Sequence, residues 1–322
     1  MVEVDSFARL NFGLWDLSIN PFRIDGSTGV YTNLRIGNVK LLKDTPYFLD
    51  IKCDDKERIK SVIKRCEKRI GKSNFSLSVE SFHDFHIGLG SGTQLSMSIV
   101  AAFDKEYHLN LSIDEMALLA GSGGTSCVGV YSFLFGGFIV DSGRKFPSEK
   151  SQIGPGETFS FPKVSPLLLR LEMPKWYLCL AKPKTSRKVF AKYEMNLFKK
   201  YTPISDEETN QLCKWILTGI LPSLKTNDFE SFCYCLQKCS TLGFKKREIE
   251  TYGDCVRSGI EILTKHGASG VGMSSFGPTV FGFFPSKEEA LNKMELLENT
   301  NAFDKVYLTE LRNSGALIKC ID

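Results

Sequence analysis

The sequence predicts a two-lobed α/β protein, on three observations. Strand-like and helix-like hydrophobic periods alternate along most of the 322 residues. Three Gly/Ser-rich segments, 88–93, 121–126 and 267–277, interrupt those periods. The last part of the chain runs β-turn-β-α-β, the pattern of a ferredoxin-like lobe. A chain of this length has room for two packed lobes. A polar, turn-rich stretch at 143–157 puts the division near 145–170, giving an N-terminal lobe of residues 1–160 and a C-terminal lobe of residues 161–322.

Residues 2–10 alternate loosely and read as a strand that breaks at Asn11-Phe-Gly13. Asn20-Pro21 and Asp25-Gly26 mark turns, and 36–42 and 46–51 give further strands. Ile59, Val62, Ile63, Cys66 and Ile70 recur at helical spacing over 54–70, with Asp54 as the cap. A β-like run at 75–79 leads into the first glycine loop, and a helix follows over 93–107. Ser112 and Glu115 form a capping box that opens another helix, ending at the second loop. Residues 127–135 are short and mixed, 138–140 form a buried strand, and 143–157 are a surface loop placed to act as a flap over the site. A strand at 176–181 and a helix near 187–199 come next, then helices over 206–221, 228–242 and 248–265. Beyond the third loop lie a strand at 279–284, a helix at 287–298 and a last strand at 303–308. There is no internal repeat and no low-complexity tract.

Composition narrows the function. The formal charge of +4, from 41 basic and 37 acidic residues, gives no case for nucleic acid. Lys60-Ser-Val-Ile-Lys-Arg65 and Lys245-Lys-Arg247 read as solvated helix faces. No apolar run reaches the roughly 20 residues of a membrane span. The N-terminus lacks a basic start followed by an apolar core, so a cytoplasmic protein with no membrane contact is expected. Its ten cysteines are then expected as thiols. Cys233, Cys235 and Cys239 lack Cys-x-x-Cys spacing and read as small buried hydrophobes rather than metal ligands.

The chemistry lies in the loops. Strand, glycine loop and helix in that order aim backbone N–H groups and the positive end of a helix dipole at one spot. Gly88, Gly90 and Gly92 allow a ligand close to the backbone, while Ser91 or Thr93 caps the helix and offers a hydroxyl. The expected guest is phosphate or diphosphate. Gly123, Gly124, Thr125 and Ser126, with Ser274 and Ser275, are expected to close on the same pocket and bind a second anionic group. Lys182 and Lys184 are solvated by default, with phosphate as the alternative. His83 and His86 flank the loop in structural roles.

The early strand, His86-Ile-Gly-Leu-Gly-Ser-Gly-Thr-Gln94 before a helix, and Gly272-Met-Ser-Ser-Phe-Gly-Pro-Thr279 together resemble the GHMP superfamily of galactokinase, homoserine kinase, mevalonate kinase and phosphomevalonate kinase. Its middle motif reads Pro-x-x-x-Gly-Leu-Gly-Ser-Ser-Ala. Kinases of that group carry an Asp ahead of a Gly-Gly pair, and counting back from Gly136-Gly137 finds Val128 there. The resemblance therefore implies a phosphate cradle without the phosphoryl-transfer base. Phe7-Ala-Arg-Leu-Asn-Phe-Gly-Leu-Trp-Asp-Leu17, Gly123-Gly-Thr-Ser126 and Gly136-Gly-Phe-Ile-Val-Asp141 extend the likeness to the β-ribofuranosylaminobenzene 5′-phosphate synthase branch, over about residues 5–285. One departure is Asn11, where that branch has His in Arg-Leu-His-Phe. Asn11 replaces a hydrogen-bonding His but not a proton-shuttling one.

This resemblance implies an N-terminal ribosomal-S5-like lobe, a C-terminal ferredoxin-like lobe and a homodimer. The implied reaction, in methanopterin biosynthesis, condenses 5-phosphoribosyl 1-diphosphate with 4-aminobenzoate or a close aryl acid, releasing CO2 and pyrophosphate. Mg2+ and no organic cofactor are expected. Arg9 and Asn11 become catalytic candidates, Arg9 as the fork for a carboxylate or phosphate. Asp25 is a candidate for Mg2+ or the ribose hydroxyls, with an Asx turn as its rival, and Asp141 is a second metal candidate with capping as its rival. Two other readings of the same loops are an ATP-dependent small-molecule kinase and a non-catalytic ligand-binding homologue.

Overall fold

The computed structural model describes residues 1–19, 21–71, 73–155, 163–184 and 191–321. A long antiparallel pair, β1 (Val2–Asp16) and β2 (Arg23–Lys43), is the spine of the first sheet. β1 does not break at Asn11. Asn11 pairs with Gly29 and Gly13 with Thr28, so the ladder absorbs an extra residue as a bulge, with Gly13 at φ 135°. The Asp25-Gly26 signal is likewise a kink inside β2, both residues at positive φ, and not a turn between elements.

β2 continues the sheet through β4 (Phe75–Ser81) toward one end and β5 (Phe138–Asp141) toward the other. β3 (Phe48–Lys52) runs parallel to β4 on the outer edge, and β6 (Arg144–Lys145) pairs with the start of β2. Two strands come from later in the chain: β7 (Leu167–Leu171) adds to β5, and β12 (Leu317–Cys320) adds to β1. The expected 160/161 boundary lies outside the described residues. The sheets divide the chain differently from that cut, since the open edges of β5 and β1 are filled by segments beyond it.

Four helices belong to this sheet: α1 (Lys56–Ile70), α2 (Ser91–Tyr107), α3 (Ile113–Ala120) and α4 (Val128–Phe135). α1 buries Ile59, Val62, Ile63 and Cys66, and its cap is Asp55, not Asp54, accepting from the Arg58 N–H at 3.2 Å. Ser112 and Glu115 make both bonds of the capping box at α3. The mixed stretch 127–135 proves to be helical. α4 is buried almost all round, so it shows no amphipathic period.

The second sheet has the antiparallel order β11 (Phe303–Glu310), β8 (Tyr177–Pro183), β10 (Val280–Phe284), β9 (Ser269–Met273). With helices after β8 and β10, this is the βαββαβ arrangement of a ferredoxin-like lobe. Between β8 and β9 lie α5 (Ala191–Tyr201), α6 (Asp206–Lys214), a π-helical turn (Trp215–Ile220), α7 (Leu221–Thr226), α8 (Phe229–Ser240), α9 (Gly243–Tyr252) and α10 (Asp254–Lys265). The expected helix over 206–221 is broken by the π-helical turn, and that over 248–265 by Gly253 at φ 66°. Of the helix expected near 187–199, residues 187–190 lie outside the described part. α11 (Lys287–Glu298) precedes β11.

The lobes share a core. Phe12 of β1 packs on Phe281 of β10 with ring centroids 5.2 Å apart, and Cys233, Cys235 and Cys239 are buried in the same cluster. Residues 143–155 are not a loose flap. Arg144 and Lys150 are buried, and the Lys150 ammonium is tied to Asp25. Among the described residues no helix is long and apolar enough to cross a membrane.

Candidate active site

The three glycine segments meet. Gly88, residues 90–93, 121–126 and 275–277 line one cavity of about 220 Å³. Two glycines are required for that meeting. A Cβ on Gly88, at φ 92°, would stand 2.5 Å from the Ser274 carbonyl oxygen. One on Gly90, at φ 77°, would stand 2.8 Å from Arg9 Cγ. Across the same seam the Ser274 hydroxyl donates to the Gly88 carbonyl at 2.7 Å, and the Ser275 N–H donates to the Asn11 carbonyl at 2.9 Å.

One end of the cavity suits an anion. α2 begins at Gly90 in the left-handed region with no side-chain cap, so its first N–H groups, on Ser91, Gly92 and Thr93, border the cavity uncapped. Arg9 passes beneath them on β1. Its Nε and Nη1 are buried and find no hydrogen-bond acceptor among the described residues. Burial holds its pKa down to about 10, against the pull of Glu194. A guanidinium in that state is stabilised by an incoming phosphate or carboxylate. Arg58 of α1, which the sequence reading missed, covers Gly92 from above, and its Nε donates to Ser96 Oγ at 3.4 Å.

Several expected ligand residues turn out to be framework. Asn11 borders the cavity, but its Nδ2 donates to Ser126 Oγ at 2.8 Å and its Oδ1 accepts from the Gly13 N–H at 2.9 Å. Ser126 Oγ also lies 2.6 Å from Ser27 Oγ. The Ser274 side chain is fully buried behind the loop rather than in the cavity. Asp25 and Asp141 do not border it either. Asp25 forms a sealed ion pair with Lys150 at 2.8 Å, and burial raises its pKa to about 6 against the attraction of Lys150. Asp141 accepts from Ser27 Oγ, from the N–H groups of Cys127 at 3.0 Å and Gly143 at 3.1 Å, and from Ser165 Oγ at 3.0 Å. Asp25, a ligand candidate with an Asx turn as its rival, and Asp141, one with capping as its rival, both lie under the folded 143–155 segment. The backbone N–H bonds to Asp141 are of the capping kind. Lys182 bridges Asp84 and Asp304, and His83 meets the Tyr307 hydroxyl, so both serve contacts away from the cavity. His86 does border it.

The cavity is lined further by Leu14, Phe198 and Phe276, with Glu248, and by Glu194, which acts on Arg9. Here a second expectation fails. Lys245 is not on a solvated face: it is 3% exposed, its stem lies where a Cβ on Gly13 would meet its Cε at 3.4 Å, and its ammonium donates to the Ser275 carbonyl at 2.7 Å and pairs with Glu248. Burial lowers the Lys245 pKa and raises that of Glu248, each opposed by the pairing. Phe244, Lys245, Glu248 and Tyr252 share one buried stripe of α9 at i, i+1, i+4 and i+8, a signal that the basic run around it concealed.

Residues 57–137 match the family model described as GHMP kinases N terminal domain, and residues 220–297 match GHMP kinases C terminal. Among solved structures, L. major mevalonate kinase in complex with R-mevalonate superposes with a TM-score of 0.72 at 12% identity, covering 97% of this chain and 96% of its own. Homoserine kinase from Cytophaga hutchinsonii gives 0.70 at 14%, covering 99% and 97%. At such identities these share the fold alone. The β-ribofuranosylphenol 5′-phosphate synthase of Archaeoglobus fulgidus is 30% identical over 99% of this chain and 100% of its own. That of Methanothermobacter thermautotrophicus is 32% identical over 98% of both. With both lobes matched and near-full-length relatives at 30% identity or more, the chain belongs to the β-ribofuranosylphenol 5′-phosphate synthase family of enzymes, built on the GHMP fold.

Proposed function

We propose that the cavity condenses 5-phosphoribosyl 1-diphosphate with 4-hydroxybenzoate, forming a ribosyl–aryl C–C bond and releasing CO2 and diphosphate, in methanopterin biosynthesis. The relatives' names put a phenol in the product, which favours the hydroxy acid over its 4-amino analogue as acceptor. The observation that carries the reading is Arg9: two buried nitrogens without an acceptor among the described residues, beneath the uncapped start of α2. That arrangement suits the diphosphate, whose departing charge the N–H groups and Arg58 would stabilise. The second loop, with Gly123, Gly124 and Thr125 at the cavity wall, is the proposed seat of the 5-phosphate. Ser275 borders it from the other lobe.

No group of three or more His, Cys, Asp or Glu among the described residues makes a metal cage. The oxygen donors at the wall, Ser91, Thr93 and Glu194, fit an Mg2+ that arrives on its diphosphate and keeps several waters. Bound there, it would neutralise leaving-group charge. Against a kinase reading, Val128 is buried with its Cγ1 2.6 Å from where a Gly29 Cβ would stand, so no carboxylate comes from that position.

The test is release of labelled CO2 from carboxyl-labelled 4-hydroxybenzoate, requiring 5-phosphoribosyl 1-diphosphate and accompanied by equimolar diphosphate. Conversion of ATP to ADP with an alcohol substrate, and no CO2, would instead establish the kinase. Ligand binding without either turnover would establish the non-catalytic homologue.

A further inference from the structure

Part of the cavity wall is apolar and stands apart in composition from the glycine loops. Leu14, Phe198 and Phe276 give that part apolar walls of the kind against which a flat ring packs. Phe198 and Phe276 are backed by Phe244, with Phe198–Phe244 centroids 4.4 Å apart and Phe244–Phe276 6.0 Å, so the wall is rigid. At the foot of that wall stands Glu248. Lys245 fixes it there, because the same ammonium that pairs with Glu248 donates to the carbonyl of Ser275, next to Phe276.

An aryl acceptor needs a proton holder at one end. Resting on the reaction proposed above, we infer that Leu14, Phe198 and Phe276 form the aryl subsite and that Glu248 is the catalytic residue that holds the acceptor's phenolic proton. The other groups fit less well. Both ends of the Asn11 side chain are bonded within the framework. Glu194 acts on Arg9 and belongs to the anion end. His86 lies at the first loop beside Asp55, 3.9 Å away.

The electron count closes with no net proton. The phenol O–H bond breaks and its proton passes to the Glu248 carboxylate. The phenoxide pair moves through the ring, and the carbon bearing the carboxylate attacks the anomeric carbon. The anomeric C–O bond breaks, its pair leaving with diphosphate. The ring C–carboxylate bond then breaks, CO2 departs, and that pair restores the aromatic ring and the phenoxide. Glu248 returns the proton to the oxygen. Burial, which raises the Glu248 pKa, fits a group that takes up a proton and gives it back.

The experiment compares Glu248→Gln with wild type on 4-hydroxybenzoate and on an acceptor that needs no base. The second acceptor is 3,5-difluoro-4-hydroxybenzoate, already ionised near neutrality, or 4-aminobenzoate, whichever the wild type turns over. Turnover of 4-hydroxybenzoate should fall about a hundredfold or more, and that of the second acceptor less than about fivefold. Equal losses on both acceptors, or no loss on either, would overturn the assignment. Should Glu248→Gln not fold, Glu248→Asp gives the same reading, with the larger loss again on 4-hydroxybenzoate. A wild type that releases CO2 from neither acid refutes the proposed reaction itself, and this inference with it.

Discussion

Two clusters of charge lie near the β1–β2 pair, one walled off from the cavity and one bordering it, and they are built on opposite principles. Near the kink in β2, Asp25, Lys150, Asp141 and Arg144 are sealed and each charge has a partner, although Asp25 Oδ1 itself accepts no hydrogen bond among the described residues. Lys150 meets Asp25, Asp141 accepts four bonds, and Arg144 holds the Gly123 and Gly124 carbonyls and that of Lys163. On the cavity side, Arg9 keeps two buried nitrogens unmatched under a helix start without a cap. Matched buried charge sets the shape of the loops, whereas unmatched buried charge marks where a ligand belongs. Residue type alone does not separate the two.

Arg9→Met is the severest way to break that contrast. It should lower kcat/KM by about two to three orders of magnitude, while the thermal midpoint holds or rises, because a cation whose burial outweighs the pull of Glu194 has been removed. A large drop in midpoint would put Arg9 among the framework charges. Lys150→Met tests the other side. At pH 8 it should cost about 3–5 kcal/mol in urea unfolding, since Asp25 is left buried without its cation. Folded Asp25, already raised to about 6 with Lys150 present, then binds its proton more tightly still than the unfolded chain does. Its contribution to stability is therefore present at low pH and lost as pH rises through the folded value, so the deficit should shrink on acidification from pH 8 toward 5. A deficit that grows on acidification would contradict the ion pair.

Gly90→Ala sits on the boundary between the clusters. The left-handed backbone and the close approach to Arg9 should cost about 1–3 kcal/mol, and the shifted guanidinium should lower kcat/KM by about tenfold or more. Asn11→Ala should be the mildest. Losing its bonds to Ser126 and the Gly13 N–H should cost about 1 kcal/mol, with kcat changed less than about threefold. A loss of kcat beyond tenfold would return Asn11 to the chemistry, and Asn11→His is expected to add no activity.

Local signals reached far into this fold. α11 occupies the expected residues, the Ser112 capping box forms, and the buried positions of α1 follow its period. The glycine loops announced the anion end because strand–glycine–helix is a local cause. What stayed hidden was set at long range. The short edge strands β7 and β12 carry no period of their own, and their partners lie far along the chain. Arg58, Glu248 and Phe276 reach the cavity from two separate helices and a loop, with no spacing to connect them. Asp25 and Asp141 occupy positions where a carboxylate serves a ligand or the framework equally well, and only the cover provided by 143–155 decides between them.

The pairing of Val2–Asp5 with Leu317–Cys320 has a consequence for how the protein is made. During translation the outer edge of the first strand waits, unpaired, for a segment synthesised more than 300 residues later. Until then it presents open backbone groups to any neighbouring nascent chain, a hazard for aggregation that a holding chaperone would relieve. Trimming the last strand should therefore reduce soluble yield more than it reduces the activity of whatever molecules do fold.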